Sequence, residues 1–433
     1  MNGIFLAIVL IGFLVTGYRQ LGWVPDIGPG PMEALTAAML DAAKSSVSLA
    51  LGLVGVMALF LGLMKAAEKG GLLRVIARLV RPLMVRLFPD VPADHPAMGA
   101  MIMNMSANAL GLGNAATPFG IRAMQELDRL NPCKGTASNA MALFLAINTS
   151  GVTLLPTGVI ALRAAAGSVD PAGILPTTLF ATLCSTTVAI VAAKVYQRFS
   201  PLTPTEGPHP SVGEFATATP DPAAALPDEA AQGYPAWASY LALLALVAII
   251  PLAIRFGTTI GPWIVPGLTV ALLAFGAVRG VLVYEAFVDG AREGFQVAIR
   301  IIPYLVAILV AVAMFRSSGA LDLIVGAIGR YTAWVGLPAE ALPMALLRPL
   351  SGSGAYGVLA ATIQDPAIGP DSYVGYLVST LQGSTETTFY VLAVYFGAVQ
   401  VRRVRHALVA ALTADLAGII GAVAACSYLY VGR

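Results

Sequence analysis

Residues 377–396 read LVSTLQGSTETTFYVLAVYF, and between two stretches apolar enough for hydrocarbon they carry Gln382, Ser384, Thr385, Glu386, Thr387 and Thr388. A second stretch, NMSANALGLGNAATPFG (104–120), sets Asn104, Ser106, Asn108 and Asn114 among glycines. RPLSGSG (348–354) repeats the pattern with Ser351 and Ser353, and LAINTSGVTLLPTGVIAL (145–162) with Asn148, Thr149, Ser150 and Thr153. Amides and hydroxyls of this kind donate and accept hydrogen bonds, so the chemistry they support is ligand coordination. Non-helical backbone survives at membrane depth only inside protein or beside a cavity. Thr117 followed by Pro118 reads as an N-cap with proline at the first helical position, which predicts a helix restarting inside the membrane region. Free amides and the positive dipole end there suit anionic or strongly polar groups. Close helix packing alone accounts for Gly111, Gly113 and Ala115, but poorly for the asparagines.

The candidate solute-binding set is therefore Asn104, Ser106, Asn108, Asn114, Thr117, Asn148, Ser351, Ser353, Gln382, Ser384, Thr385 and Glu386. Glu386 stands apart, because a carboxylate in a span is costly unless paired, protonated or wetted. The readings stay open: a proton or sodium coupling site or a hydrogen-bond acceptor for solute on the functional side, and a fixed ion pair with Arg348 on the structural side. Asp415, in LTADLAGIIG, is a weaker candidate of the same kind. No metal site and no cofactor are expected. Cys133, Cys184 and Cys426 are scattered, and His95, His209 and His406 fall in loops or at span ends. Loops show no paired catalytic carboxylates and no nucleophile–histidine arrangement, so an enzyme is not expected.

Composition names the elements that must hold these residues. The 433-residue chain is 58% hydrophobic and 11% charged, well below the roughly 25% charge of soluble domains, with a mean hydropathy of +0.80. This predicts an all-α, multi-pass protein of the inner (plasma) membrane. Apolar segments fall at 3–17, 45–64, 171–197, 236–256, 257–279, 297–315 and 407–431, with interrupted ones at 98–120, 137–163, 341–363 and 372–399. Segment 3–17 lacks a basic n-region and is read as a retained first helix. The net charge of +2 rests on basic residues in loops and gives no reason to expect nucleic acid.

Residues 200–235, rich in proline, alanine and acidic side chains, predict a disordered linker between halves 1–199 and 236–433. The halves repeat one order of features: a long apolar helix, an interface-lying helix (70–88 and 319–337), and two broken stretches. LAINTSGVTLLPTGVIAL overlays LVSTLQGSTETTFYVLAV without gaps, setting Gly151 on Gly383. If 98–120 dips in and returns, Lys194, Arg198, Arg279, Arg292, Arg402, Arg403 and Arg405 share the cytoplasmic side and QDPAIGPD (364–371) lies opposite. Segments 45–64 and 297–315 then run in opposite directions, an inverted repeat.

NMSANALGLGNAATPFGIRAMQEL (104–127) resembles the signature of spore maturation protein A, and RPLSGSGAYG with PDSYVGYLVSTLQGSTETTFYVLAVYFGAV that of spore maturation protein B. The chain looks like a fusion of the two, within the nucleoside recognition or gate family. That resemblance implies a plan similar to concentrative nucleoside transporters and to the membrane domain of ferrous-iron transporter B proteins. The GxxxxGK[ST] phosphate loop is absent, and the broken segments hold no cysteine or histidine, which lowers the expectation of soft-metal transport. The expected function is a secondary transporter or permease for a small polar solute, nucleoside-like or another metabolite, coupled to protons or sodium. A homo-oligomer in the lipid bilayer is the expected setting. The alternative is a non-transporting scaffold or regulator of envelope or spore maturation that binds a ligand or partner.

Overall fold

Long apolar runs with small residues at helical spacing form the frame. The computed structural model describes residues 2–24, 29–111, 113–151, 153–201, 233–320, 331–332 and 334–430. The first half comprises α1 (Asn2–Leu21), α2 (Pro31–Lys69), α3 (Leu72–Leu87), α4 (Pro96–Ala109), α5 (Gly113–Leu130), α6 (Asn139–Ser150), α7 (Thr157–Ala165) and α8 (Leu175–Tyr196). The second comprises α9 (Ala236–Val278), α10 (Val283–Ser317), α11 (Leu342–Leu347), α12 (Gly352–Gln364), α13 (Tyr373–Ser384), α14 (Thr388–Gly397) and α15 (Ala407–Tyr430). Among the described residues, α2, the stretch 171–199 around α8, and α15 are long and apolar enough to cross a membrane. The linker, apart from 200–201 and 233–235, and most of the interface-lying segment 319–337 fall outside the described residues.

α2 and α10 are the main packed pair and run antiparallel. Lys69 pairs with Asp289 at 2.6 Å and Lys65 with Glu293 at 3.0 Å, so rising numbers on one helix meet falling numbers on the other. Lys69 holds the exposed Asp289 carboxyl below its ordinary pKa. The backbones meet closely at Gly294, where a Cβ would lie 2.6 Å from the Met57 carbonyl oxygen and 2.7 Å from Ala58 Cα. Those atoms are backbone and cannot turn aside. Gly294→Val is therefore expected to destabilise by about 1–3 kcal/mol as overpacking, read as a lower unfolding midpoint in detergent.

Two helical hairpins enter the bundle from opposite ends. α4 and α5 fold back on one another around Gly111, and α11 and α12 around residues 348–351. One end gathers the loops that follow α5, α8 and α14. There Ala137 N–H donates to the Arg403 carbonyl (2.9 Å), Arg403 N–H to Gly135 (3.0 Å), and Arg405 to the carbonyls of Ala137 and Ser200. The opposite end gathers the turns around Gly336, Asp365 and Asp371. Tyr373 donates to the Gly336 carbonyl (2.7 Å), Tyr430 to Gly173 (2.5 Å), and Arg316 pairs with Asp365. Arginines 402, 403 and 405 thus lie at one end and the acidic turn at the other.

The interrupted helices obey the same inversion. α6 starts at the basic end, where Asn139 accepts from Arg405, and α7 finishes at the acidic end with Arg163. α13 starts at the acidic end and α14 finishes at the basic one, just before the 400–406 loop. The result is two inverted-topology repeats with broken helices.

Two expectations need correction. Segments 236–256 and 257–279 are one uninterrupted helix, α9. Straight, its 43 residues would reach about 64 Å. Yet Ser239 donates to the Leu79 carbonyl (2.6 Å) near one end, and Gly276 abuts Ala66 near the other. Both contacts lie on the α2–α3 corner, so α9 bends back, with Pro251, Pro262 and Pro266 along its middle. The helix restart expected at Thr117 occurs at Gly113, and Pro118 lies inside α5. Gly111, at φ +74°, has already reversed the chain two residues earlier.

His406, just ahead of α15, is buried, and burial followed by the neighbouring Arg405 pushes its pKa down to about 4. The unfolded imidazole titrates near 6.5, so between those values the unfolded chain binds the extra proton. Stability is expected to fall as pH drops from about 6.5 to about 4. His406→Gln should flatten that part of the midpoint-versus-pH curve; an unchanged slope would remove His406 as its cause.

Candidate functional site

The two broken helices cross where they are broken. α6 stops at Ser150, and the chain runs through Gly151 and residues 153–156 before α7. α13 stops at Ser384, and Thr385–Thr387 run extended to α14. Breaking a helix frees backbone groups that hydrocarbon cannot satisfy, and here each break is met by another element. Glu386 N–H donates to the Thr149 carbonyl (2.8 Å), so the interruptions bond to each other directly. Leu154 N–H donates to the Ala109 carbonyl (3.0 Å), tying the first break to the α4–α5 tip, and Phe389 N–H donates to Pro349 (3.1 Å), tying the second to the α11–α12 turn. Thr182 of α8 donates to the carbonyls of Ser150 and Gly151. Gly111 leaves no room for a side chain, since a Cβ would stand 2.7 Å from the Leu155 carbonyl oxygen. Gly111→Ala is therefore expected to separate tip from break and lower ligand affinity more than global stability, read by comparing the two in one purified sample.

Between these pieces lies a cavity of about 250 Å³. Its polar wall is formed by Asn108 from α4, Thr153 from the first break, Thr157 from α7, Tyr356 from α12, Gln382 from α13, Glu386 from the second break, and Arg348. Asn108 and Gln382, one from each half, thus face the same space. Behind Asn108 runs a chain of bonds. Asn108 donates to Asn148 Oδ1 (2.9 Å), Tyr395 OH donates to the same oxygen (3.4 Å), and Asn104 donates to Tyr395 (3.0 Å) and to the Ala116 carbonyl (2.8 Å). Tyr395 also stacks on Phe144 at 6.0 Å, so this aromatic ring packs between helices. Phe389 and Tyr390, its companions in sequence, are exposed.

Arg348 is buried at the α11–α12 turn. Its Nη1 donates to Thr387 Oγ1 (3.1 Å) and its Nη2 to the Thr385 carbonyl, so it pins the second break from below. Glu386 Oε2 stands 3.7 Å from Nη2, an ion pair beyond hydrogen-bond length, and its side chain is 46% exposed. A smaller void beside Arg348 is lined by Ser384, Thr385 and Asp415, and Asp415 accepts from Thr388 (2.7 Å).

Of the sequence-predicted residues, Asn108, Gln382 and Glu386 line the cavity, and Asn148 stands one bond behind. Asn104 serves the network to Tyr395, and Ser106 bonds back to Ile102 in its own helix. Ser351 caps α12 by accepting from Gly354 N–H (3.0 Å), with Ser353 3.5 Å from its hydroxyl. Ser384 bonds to Leu381 and, with Thr385, borders the smaller void. Thr117 lies within α5, and the Asn114 side chain falls outside the described residues. Sequence reasoning missed Tyr356 and the Leu155–Gly158 wall, which carry no polar cluster to flag them. It also missed Arg163, a basic residue closing an apolar run, which is fully buried at the acidic end.

The nucleoside recognition (Gate) family pattern matches residues 50–166 and 298–402, just over half of the sequence. The chain belongs to the Gate family. Each Gate segment holds the same parts: the end of a long helix, a hairpin, and a broken helix. α8, α9 and α15 lie outside the match. The chain is 45% identical over 187 residues to spore maturation protein A of Bacillus subtilis (strain 168), covering 43% of this chain and 95% of that one. It is 45% identical over 166 residues to spore maturation protein B of the same organism, covering 38% of this chain and 92% of that one. The two relatives match different parts, as in a fusion. Among solved structures it is similar to CNTnw in an outward-facing state (TM-score 0.40, 14% identity, 98% of this chain and 91% of that one). It is also similar to CNTnw in an inward-facing substrate-bound state (TM-score 0.39, 15% identity, 99% and 90%). Both overlays are too loose to carry a functional argument.

Proposed function

We propose that this Gate protein is a multi-pass inner-membrane transporter or permease for a small polar solute, which binds between the crossed breaks. The observation that carries this reading is the meeting of the two interruptions, through Glu386 N–H and the Thr149 carbonyl, beside a polar cavity lined from both halves. Helix interruptions cost backbone pairing, and a scaffold has no use for two of them crossing at one depth around empty space. Movement of one repeat against the other would expose the cavity to alternate sides. Glu386, half-exposed and loosely paired, is the coupling candidate for a proton or sodium ion. Such a protein performs no bond-making chemistry of its own.

The test is gradient-driven uptake into proteoliposomes. Glu386→Gln is expected to abolish coupled uptake while leaving the detergent unfolding midpoint within about 1 kcal/mol of the parent, as for a partly exposed side chain. Uptake equal to the parent's would remove Glu386 from the mechanism. The second reading, a non-transporting membrane scaffold, draws on the printed names of the two spore maturation relatives. A midpoint unmoved across a broad panel of small solutes would favour it, because binding to the folded state stabilises by mass action.

A further inference from the structure

The cavity's guanidinium is committed and buried, its carboxylate is accessible, and Gln382, Thr153 and Thr157 remain for the neutral polar part of a solute. Asn108 gives its amide to Asn148, and Tyr356 gives its hydroxyl to the Gly158 carbonyl (2.8 Å). Arg348 gives both terminal nitrogens to the second break, is 7% exposed, and keeps its remaining nitrogen, Nε, buried and unpartnered. A solute carboxylate or phosphate would therefore find no free guanidinium fork, the arrangement that makes arginine a good anion receptor. The Glu386 carboxylate accepts no hydrogen bond from any described residue and is 46% exposed.

Charge count points the same way. Arg348 lies between two carboxylates: Glu386 on the cavity side, and Asp415 across the smaller void, itself 4% exposed and held by Thr388. The single guanidinium, 3.7 Å from Glu386, thus stands against two carboxylates, which leaves room for a second cation on the cavity side. Helix dipoles do not reverse this. The first turns of α7 and α12 meet the cavity at Thr157 and Gly352, and the last turns of α4 and α13 meet it at Asn108 and Gln382. Two positive ends and two negative ends leave the side chains to decide.

We infer that the solute carries a positive charge, a protonated amine that donates to Glu386, and that it is neither a neutral nucleoside nor an anion. This rests on the transporter reading above. A cation seated there levels the charge count and donates to a carboxylate that accepts from no described residue, a charge-assisted hydrogen bond.

The experiment is thermal stabilisation of the purified full-length protein by four small compounds of different charge: L-serinamide, L-serine, N-acetyl-L-serine and uridine, each with and without sodium chloride. L-Serinamide is expected to raise the midpoint most. Glu386→Gln should weaken its apparent affinity about tenfold or more, Glu386→Asp should retain part of it, and both variants should unfold near the parent without ligand. Stabilisation by uridine or N-acetyl-L-serine that survives Glu386→Gln would overturn the inference and leave the transporter reading standing. Sodium chloride alone reproducing the shift would overturn it in favour of an inorganic ion. A flat response to every addition would overturn both.

Discussion

Replacing Arg163 by methionine is expected to cost about 3–5 kcal/mol, the range for stripping one partner from a buried charge network. The guanidinium is fully buried and ties separate parts of the acidic end together. Nη1 donates to the Pro370 carbonyl (2.6 Å) and Ser379 (3.3 Å), and Nη2 donates to Ser168 (3.2 Å), the Asp170 carbonyl (3.3 Å) and Asp371 (2.9 Å). The group also lies 4.2 Å over the Tyr376 ring, which stacks on Tyr430 at 3.8 Å. Methionine fills much of the volume but donates to none of those acceptors, and although Asp371 keeps Ser168 and the Val169 N–H, the Pro370 carbonyl loses its donor. Asp371 is 29% exposed and can turn to water, so Asp371→Asn should cost clearly less. Denaturant unfolding of both variants and of the pair checks this. Equal losses for the two single variants would mean that the carboxylate, not the carbonyls, is what Arg163 serves.

Replacing Arg348 by methionine should be comparably damaging, for a different reason. It removes the two guanidinium bonds to Thr387 and Thr385 and takes the cation away from Glu386 and Asp415 at membrane depth. The expected loss is again about 3–5 kcal/mol, with uptake abolished. The informative variant is the double one. Adding Asp415→Asn to Arg348→Met removes the carboxylate that cannot reach the cavity, so part of the stability should return while uptake stays lost. A double variant no more stable than Arg348→Met alone would show that Asp415 is not the counter-charge of Arg348.

Much of the architecture could be read from local composition. The glycine-broken, hydroxyl-rich stretches mark where helices stop, because a freed backbone group at depth needs such residues nearby. Gly151 overlays Gly383 in the ungapped alignment of the halves, and in the structure both lie where α6/α7 and α13/α14 cross. The hairpin around Gly111 was legible from the distribution of basic residues, since only a return at that point leaves the arginines at one end. The helix restart was misplaced at Thr117 because Thr-Pro is a strong local start signal, while the actual start follows a glycine turn fitted to Leu155. α9 was divided in two because apolar length alone cannot tell two spans from one bent helix.

The sequence by itself determined that this is a helical membrane protein of two like halves, and where its helices would break, because hydropathy and backbone pairing act over a few neighbouring residues. Only the tertiary structure decided which polar residues meet the cavity. Asn108 and Glu386 face it, whereas Asn104 turns to Tyr395 and Ser351 to its own helix end. That choice depends on the rotation of each helix about its axis and on the register of crossings between residues more than 200 positions apart in the chain, such as Glu386 with Thr149. Packing sets both, and no short stretch of sequence contains it.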